Sequence, residues 1–524
     1  MGQETELKLQ LAPSDLQRLK RHPLVQRLKR GRPQTKQLKS VYFDAEDFRL
    51  RSAGVVLRVR HVGRRRIQTV KTMGACIGGA WARDEWEWEI AGDEPDLSLL
   101  AETPLAEMFA AEGLLRALRP IFATEIKRTA YLLGDGVWEV ELALDEGQLV
   151  SAQGSAPVSE AELELKAGAP SQLYKLALGL QADLPARLMS DSKSSRGYRL
   201  AEGSSPQPQK GATPDFTPEA TSAEAFRAIA HACAGQLLVN QDCLIETRDP
   251  EAIHQMRVAL RRLRSAMNVF KGLLDTPETS RIKEELRWLQ SILGPARDCD
   301  VFIDEIFAPL EKELAGDAGF AALLEDFSKR RLALYDVATA EACGPRFTRL
   351  MLELGHWVET GDWLDILEKP DRQALLDRRA LDLAREVLEK RESKLIKGLR
   401  HLRKLDAHAR HMTRIEAKKL RYAIEFFAPL FNSKRPAKFA KSLAVLQDEL
   451  GLLNDIATSR AALKHHAEQS GDPERLWSAG LIAGWHAARV PTLLQDAERA
   501  AKSFKALPRF WRKDALKPKD QPPP

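Results

Sequence analysis

Apolar and polar residues alternate along much of the first 200 positions of the chain. Because successive side chains of a β-strand point to opposite faces, this period of two predicts short strands. The alternation is clearest in VVLRVRHV (55–62), IQTVKT (67–72), RDEWEWEI (83–90), WEVELALD (138–145) and AELELKA (161–167). Residues 13–30 and 96–118 have helical spacing instead. Many strands with few helices predict an antiparallel sheet or a closed barrel.

The period changes to about 3.6 residues in the second half of the chain. One apolar stripe at spacings of three and four is formed by Ile253, Met256, Leu260, Leu263, Met267 and Phe270. Such stripes are typical of amphipathic helices, and they continue to about residue 510. Residues 201–218, rich in proline and small residues, are predicted to be a linker. Residues 511–524, which end in KPKDQPPP, are predicted to be a disordered tail.

The predicted fold is therefore multidomain α+β. We expect a sheet domain at 1–200, with flanking helices, and an all-α domain at 219–510. A length of 524 residues fits two or three domains. The first residues do not resemble a signal peptide, and no apolar run approaches the ~20 residues of a membrane span. The five scattered cysteines favour a cytoplasmic protein over a disulfide framework.

Charged residues occupy one face of strand after strand in the sheet domain. In the opening ETELK, Glu4, Glu6 and Lys8 share a face. Such faces could point to solvent, as exposed charged faces usually do. Six strands of this kind could instead turn their charges inward around a hydrated lumen. Buried charges of both signs would then need water, metal or a charged ligand. Arginine and lysine suit phosphate oxygens, and paired carboxylates suit Mg²⁺ or Mn²⁺.

The ordered motifs of residues 1–200 resemble the CYTH superfamily, also called triphosphate tunnel metalloenzymes. ETELK looks like its ExExK signature, followed in order by YFDAEDFRLRSAGVVLRVR, EWEWE, IKRTAYLL, VELALDEG, ELELK and SKSSRGYRL. The resemblance implies an eight-stranded antiparallel β-tunnel that binds a triphosphate through Lys8, Arg58, Arg60, Lys71, Arg128 and Lys193. Of the adjacent pair Lys127 and Arg128, we expect Arg128 to point inward.

The same resemblance implies a site for Mg²⁺ or Mn²⁺. Its expected ligands are Glu4, Glu6 and one carboxylate of the ELELK strand, Glu164 in the first place and Glu162 in the second. Asp145 and Glu141 are further ligands or water-orienting groups. Lys8 is a candidate to take the proton from the attacking water, alongside Glu4 and Glu6 as catalytic metal ligands. An equally open role for Lys8 is simple phosphate binding.

The helical half contains an internal duplication. IHQMRVALRRLRSAM (253–267) aligns with RHMTRIEAKKLRYAI (410–424), and LGPARD (293–298) aligns with LGLLND (450–455), both at an offset of 157 residues. One shared offset indicates two repeats, at about 219–345 and 375–510. Each repeat places a histidine and three cations on one helix face: His254, Arg257, Arg261 and Arg264, then His411, Arg414, Lys418 and Arg421.

This duplicated pattern resembles the CHAD domain, a duplicated helical bundle implicated in binding inorganic polyphosphate. The two rows are therefore candidate polyphosphate-binding residues. Alternatively they form a solvated face neutralised by acids on a neighbouring helix, with the histidines bonded to neighbours and Asp298 and Asp455 as structural groups.

Four functions are consistent with the sequence. The first is metal-dependent hydrolysis of inorganic triphosphate, with polyphosphate bound by the helical domain. The second is another CYTH-type reaction, on thiamine triphosphate or a nucleoside triphosphate, or cyclisation of ATP. The third is a non-catalytic polyphosphate-binding protein. Nucleic-acid binding ranks last, because no aromatic residues interleave with the basic rows to stack bases.

Overall fold

A computed structural model describes residues 2–72, 75–77, 80–109, 112–365, 371–431 and 433–512. Most of the predicted tail, from residue 513 onward, lies outside this described part. The chain divides into two compact units. The first comprises Met1–Gly211, His231–Gln255 and Thr339–Gly361, and the second comprises Ala212–Ala230, Met256–Ala338 and Asp362–Pro524.

The first unit contains one antiparallel sheet. Its strands are β1 Gly2–Gln10, β2 Lys29–Asp44, β3 Val55–Val62, β4 Arg65–Thr72, β5 Ala75–Ile77, β6 Ala80–Ile90, β7 Arg119–Gly134, β8 Glu139–Ser151, β9 Gly154–Ala167 and β10 Arg187–Met189. Each strand pairs with the next in the order β1, β9, β8, β7, β2, β3, β4, β6, and β1 also pairs with β6. These eight strands follow one another around a ring, and the short β5 and β10 lie beside β6 and β1.

The register places the charged faces of the strands inside this ring. Lys8 and Glu6 of β1 are each only 2% exposed, and Arg58 of β3 is buried. The apolar residues between them face outward. Leu57 and Val59, for example, join an apolar cluster with Leu100 and other helical residues. An exposed charged face would leave Glu6 and Lys8 in solvent, so the inward arrangement is the one that this chain adopts.

Helices cover the outside of the sheet and form the remainder of the chain. Those of residues 1–202 are α1 Pro13–Lys20, α2 Pro23–Leu28, α3 Arg49–Ser52, α4 Ala106–Phe109, α5 Glu112–Ala117, α6 Ser171–Gln181 and α7 Lys193–Glu202, with a 3₁₀ helix at Leu97–Glu102. The predicted antiparallel sheet domain followed by an all-helical region is thus confirmed.

The helical region continues with α8 Ser222–Thr247, α9 Pro250–Val269, α10 Pro277–Val301, α11 Ala318–Cys343, α12 Pro345–Thr360, α13 Asp371–Asp377, α14 Ala380–Gly398, α15 Ala407–Phe427, α16 Arg435–Ser470 and α17 Pro473–Lys505. A π-helical turn at Phe302–Phe307 follows α10. In the second unit, buried leucines and aromatic residues of α14 to α17 and of the segment after α17 form one apolar core, which includes Leu420, Leu446 and Trp511. The helices α9 and α15 are amphipathic, as their apolar stripes predict.

Candidate functional site

Three carboxylates converge inside the ring. Asp145 of β8 and Glu160 and Glu162 of β9 each offer an oxygen within 4.8 Å of the others. Glu160 lies directly across from Asp145 in the β8–β9 register, and Glu162 is the next inward residue on its strand. Burial of three carboxylates so close together requires positive charge beside them.

Two basic side chains supply that charge. The Nζ of Lys193, at the start of α7, lies 2.6 Å from Asp145 and 3.0 Å from Glu162, and it also contacts Glu160. Arg128 of β7 donates from Nε and Nη2 to both oxygens of Asp145, at 2.7 and 2.6 Å. A further bond joins Arg128 to Glu162 at 2.5 Å. Arg128 therefore points inward, whereas its neighbour Lys127 is exposed.

These contacts decide the ionisation of the cluster. Burial by itself raises the pKa of Glu162. Lys193 and Arg128 together lower it by more than burial raises it, so the pKa lies well below the ordinary value. The same opposing causes leave the pKa of Asp145 below its ordinary value. Conversely, burial lowers the pKa of Lys193, but Asp145, Glu160 and Glu162 raise it above the ordinary range. Glu162, Asp145 and Lys193 are thus charged at neutral pH.

A second group of cations lies on β3 and β4. Arg58 approaches Glu85 at 3.6 Å, and Lys71 lies 2.9 Å from the same carboxylate. Arg60 donates to the Ser40 hydroxyl at 3.2 Å. Burial, together with Arg58 and Arg128, lowers the pKa of Arg60 to about 10. Because like charges raise the energy of its protonated form, an anion bound here would relieve the repulsion.

Carboxylates also line up across β1, β9 and β8. Glu6 lies opposite Glu164, and Glu164 lies opposite Glu141. Residues directly opposite in antiparallel strands share a face, and like charges there repel. Lys8 forms an ion pair with Glu6 at 2.5 Å, and Lys166 forms one with Glu164 at 2.6 Å. The side chain of Glu4 lies outside the described part of the structure.

The structure thus brings together only part of the predicted ligand set. Asp145 and Glu162 meet at one cluster, while Glu6 and Glu164 face each other on adjacent strands. Sequence reasoning missed Glu160, which completes the cluster, and Arg196, which contacts Glu160 from α7. The oxygen-only donor set of the cluster is of the type that hard divalent cations prefer. The residues present therefore fit Mg²⁺ or Mn²⁺.

In the second unit, the structure places two basic rows on α9 and α15. The first row is Arg257, Arg261 and Arg264, and the second row is His411, Arg414, Lys418 and Arg421; all seven are half-buried. His254, also half-buried, belongs to the first unit. Arg261 donates to the Tyr422 hydroxyl at 3.2 Å, which joins the helices that carry the two rows.

Each row contacts the glycine of its own LG-x-x-x-D motif. A Cβ built on Gly294 would lie 3.1 Å from Nη1 of Arg257, and one on Gly451 would lie 3.4 Å from Nη2 of Arg414. Arg257 also donates to the Leu293 carbonyl at 3.3 Å and to Asp298 at 3.2 Å. The glycines leave room for the guanidinium groups, which gives the duplicated motif a structural reason. A hydrogen bond of 2.6 Å joins Nδ1 of His411 to Oδ1 of Asn454.

Lys418 has the most perturbed environment of the two rows. Burial, then Arg414 and Arg261, lower its pKa to about 7. Burial, which outweighs the opposing effect of Asp298, also lowers the pKa of Arg257 below its ordinary value, with smaller contributions from Arg261 and Arg297. Cations that repel one another in a half-buried site create a positive potential, which an anion would lower.

Two family models match this chain. The CYTH domain model matches residues 2–198, and the CHAD domain model matches residues 228–464. The CHAD domain from the plant Ricinus communis is 30% identical, with a TM-score of 0.50, and the match covers 58% of this chain and 98% of that chain. A Hippeastrum protein with a dominant triphosphatase activity is 19% identical, with a TM-score of 0.30, and the match covers 38% of this chain and 96% of that one.

An inorganic triphosphatase from Haemophilus influenzae is 29% identical over 164 residues. The match covers 31% of this chain and 46% of that protein, so the chain spans less than half the length of this relative. Across the described ranges, no helix carries an apolar stretch long enough to cross a membrane.

Proposed function

Because the chain belongs to the CYTH and CHAD domain families, we propose that it hydrolyses inorganic triphosphate inside the closed sheet, with Mg²⁺ or Mn²⁺. We further propose that its basic rows bind polyphosphate. The observation that carries the first proposal is the convergence of Arg128 and Lys193 with three buried carboxylates inside the ring.

The basic side chains would bind the triphosphate oxygens. Arg58, Arg60 and Arg128 offer planar forks that match phosphate geometry, and Lys8, Lys71 and Lys193 add point charges. Without substrate, Arg128 and Lys193 are paired with carboxylates. A triphosphate would exchange these partners for its own oxygens, so the cations remain compensated throughout. The Nζ of Lys8 donates a hydrogen bond to Glu6, and it would donate in the same way to a phosphate oxygen.

The divalent ion would be held by Asp145, Glu160 and Glu162. The proposed ligand set also includes Glu164 of β9 and, on β1, Glu6 and Glu4. When bound, such an ion stabilises negative charge on the phosphoryl group and makes its bound water more acidic. The chain itself holds the substrate in line and keeps its terminal phosphorus accessible by neutralising the oxygens. Glu141, opposite Glu164 in the β8–β9 register, would orient water.

The aromatic residues of the lumen favour an inorganic substrate. Tyr42 and Phe122 stack on each other at 4.3 Å, and Tyr198 of α7 packs edge-on against Phe122 at 5.1 Å. All three rings are buried, so these rings leave no open face on which a base or a thiazole could stack. Hydrolysis of thiamine or nucleoside triphosphates, and cyclisation of ATP, are the alternative reactions.

The test compares two adjacent residues of β7. Arg128→Ala should lower kcat/KM for tripolyphosphate by on the order of 10²-fold, as expected when one preorganised charge donor is lost. Lys127→Ala, on the exposed side of the same strand, should leave it unchanged. Phosphate release from tripolyphosphate, longer polyphosphate, ATP and thiamine triphosphate should be measured with Mg²⁺, Mn²⁺ and EDTA. Equal effects of the two variants, or full activity in EDTA, would contradict the proposal.

A further inference from the structure

One face of α17 is apolar and uncovered. The segment LWSAGLIAGWHAA (476–488) has no charged residue. Its inner positions, which include Ile482 and His486, are buried, whereas its outer positions are exposed. These outer residues, called here the apolar face, are Leu476, Trp477, Gly480, Leu481, Gly484, Trp485, Ala487 and Ala488. A helix that is apolar all round is usually buried all round.

The apolar face has a shape that can pack against itself. Trp477, Leu481 and Trp485 recur every four residues and form a ridge. Gly480, Gly484 and Ala488 recur every four residues beside them and form a groove. Nothing lies within 4 Å of a Cβ built on either glycine. Two such helices can place the ridge of one in the groove of the other, the commonest packing class of helices.

The charges that flank the face are also self-complementary. Glu474 precedes it and Arg489 follows it, and both are equally distant from the point between residues 481 and 482. In an antiparallel pair related by a twofold axis at that point, each Glu474 meets the Arg489 of the other copy. Arg489 already lies over Trp485, with its guanidinium carbon 4.7 Å from the ring centre. The ion pair would thus close the edge of the apolar contact.

The exposed area indicates how strong such a contact is. With roughly 250 Å² for a tryptophan side chain, Trp477 at 68% and Trp485 at 37% expose roughly 260 Å². Leu476 at 43% and Leu481 at 39% add further exposed apolar area. A stable complex buries about 800 Å² on each partner. This area therefore supports a weak dimer that forms with rising concentration.

We propose that the apolar face of α17 is a twofold, antiparallel interface with a second copy of this chain. The inference is independent of the triphosphatase activity and of polyphosphate binding, because none of its residues belongs to either site.

Sedimentation velocity of the full chain, at concentrations from about 1 to 100 μM, tests this proposal. High concentrations are needed because interfaces of small area are weak. The weight-average mass should rise from 58.7 kDa toward twice that value. Trp477→Glu should keep the chain monomeric. Leu332→Glu is the matched control, since Leu332 is 58% exposed on α11, and it should dimerise like the wild type.

The charge pair tests the antiparallel arrangement and does not depend on the stability of the tryptophan variant. Glu474→Arg should weaken the dimer at least tenfold, and adding Arg489→Glu should restore it. A wild type that stays monomeric at 100 μM overturns the proposal, as does a double variant that fails to recover. If a monomeric wild type instead shows a blue shift of tryptophan fluorescence with phosphatidylglycerol vesicles, the face belongs to a lipid surface and the dimer is excluded.

Discussion

Lys418 differs from its counterpart in a way that matters for binding. The 157-residue offset aligns it with Arg261 of the first repeat. An arginine stays charged at every physiological pH, whereas a lysine can lose its proton when buried among cations. The pKa of Lys418, lowered to about 7 by burial, Arg414 and Arg261, makes this position a titratable member of the basic rows.

Polyphosphate binding should therefore depend on pH through Lys418. A bound polyanion favours the charged amine, so binding takes up a proton above pH 7 and the affinity falls as pH rises. The fall cannot exceed tenfold per pH unit for one proton. Titrations of polyphosphate between pH 6 and 9 should show it in the wild type, and Lys418→Arg should flatten the curve. Identical slopes in both proteins would exclude Lys418 as the titrating group.

The effect of Lys418 on folding stability has the opposite pH dependence. Without polyanion, the unfolded chain keeps the Lys418 proton up to about pH 10.5 while the folded chain loses it near 7. This group therefore makes the free energy of unfolding rise with pH across that window.

Alternation along the strands predicts most residues inside the ring. It places Arg58, Arg128 and Glu162 on inward faces before any contact is known. Glu160 is missed because the predicted strand begins one residue later, at 161, although Glu160 follows the same alternation. Arg196 is beyond sequence reasoning of this kind, since its contact with Glu160 depends on where α7 packs.

At the scale of elements, α7 is fixed by one glycine. A Cβ built on Gly197 would lie 2.0 Å from the Phe122 ring, so the helix packs on β7 only because that side chain is absent. The same helix brings Lys193 and Arg196 to the carboxylate cluster. Helix placement and site geometry are thus coupled.

Gly197→Ala should consequently destabilise the first unit by about 1–3 kcal/mol, as overpacking of a tight core does. It should also lower triphosphate hydrolysis, because Lys193 is displaced with its helix. Chemical denaturation and the phosphate-release assay measure the two effects. Gly316→Ala is the control, since nothing lies within 4 Å of its built Cβ. A Gly197→Ala protein as stable and active as this control would show that α7 can shift without consequence.

Element prediction succeeds where the hydrophobic period is clean and fails where local breakers act. VVLRVRHV is predicted and observed as a strand at 55–62. The helical pattern at 96–118 is instead interrupted between Leu97–Glu102 and Ala106–Phe109. Pro104 lies at this break, where its ring and missing N–H interrupt a helix. The three-residue β10 carries no pattern long enough to predict.

For the whole molecule, the predicted boundary near residue 201 differs from the compact units. The first unit also contains His231–Gln255 and Thr339–Gly361. Within it, Leu188 N–H donates to Thr348 at 3.3 Å, and Gln181 donates to the Pro345 carbonyl at 3.0 Å. A Cβ on Gly355 would lie 2.2 Å from the Tyr174 ring. Periodicity cannot reveal such contacts, which join residues more than 150 positions apart.

A fragment of residues 1–203 should accordingly be less stable than the same sheet in the full chain. It loses the partners of α6 and exposes buried Leu173, Tyr174 and Ala177. Thermal unfolding should shift to lower temperature, and binding of a hydrophobic dye should increase. Gly355→Ala in the full chain disturbs the contact with Tyr174 and should also lower the temperature of thermal unfolding. An undiminished transition in the fragment would show that residues 1–200 fold independently.

Pairing of β1 with β9 and β6 has a consequence during synthesis. The ribosome makes β1, which ends at Gln10, long before β9, which begins at Gly154. At roughly 5–20 residues per second, that gap lasts on the order of 10 s. Throughout this time the nascent strand has no β9 edge to pair with, so Leu7 and Leu9 lack the neighbours that they have in the finished sheet, Leu163 and Ala161. The pairing of β1 is therefore complete only after β9 has been made.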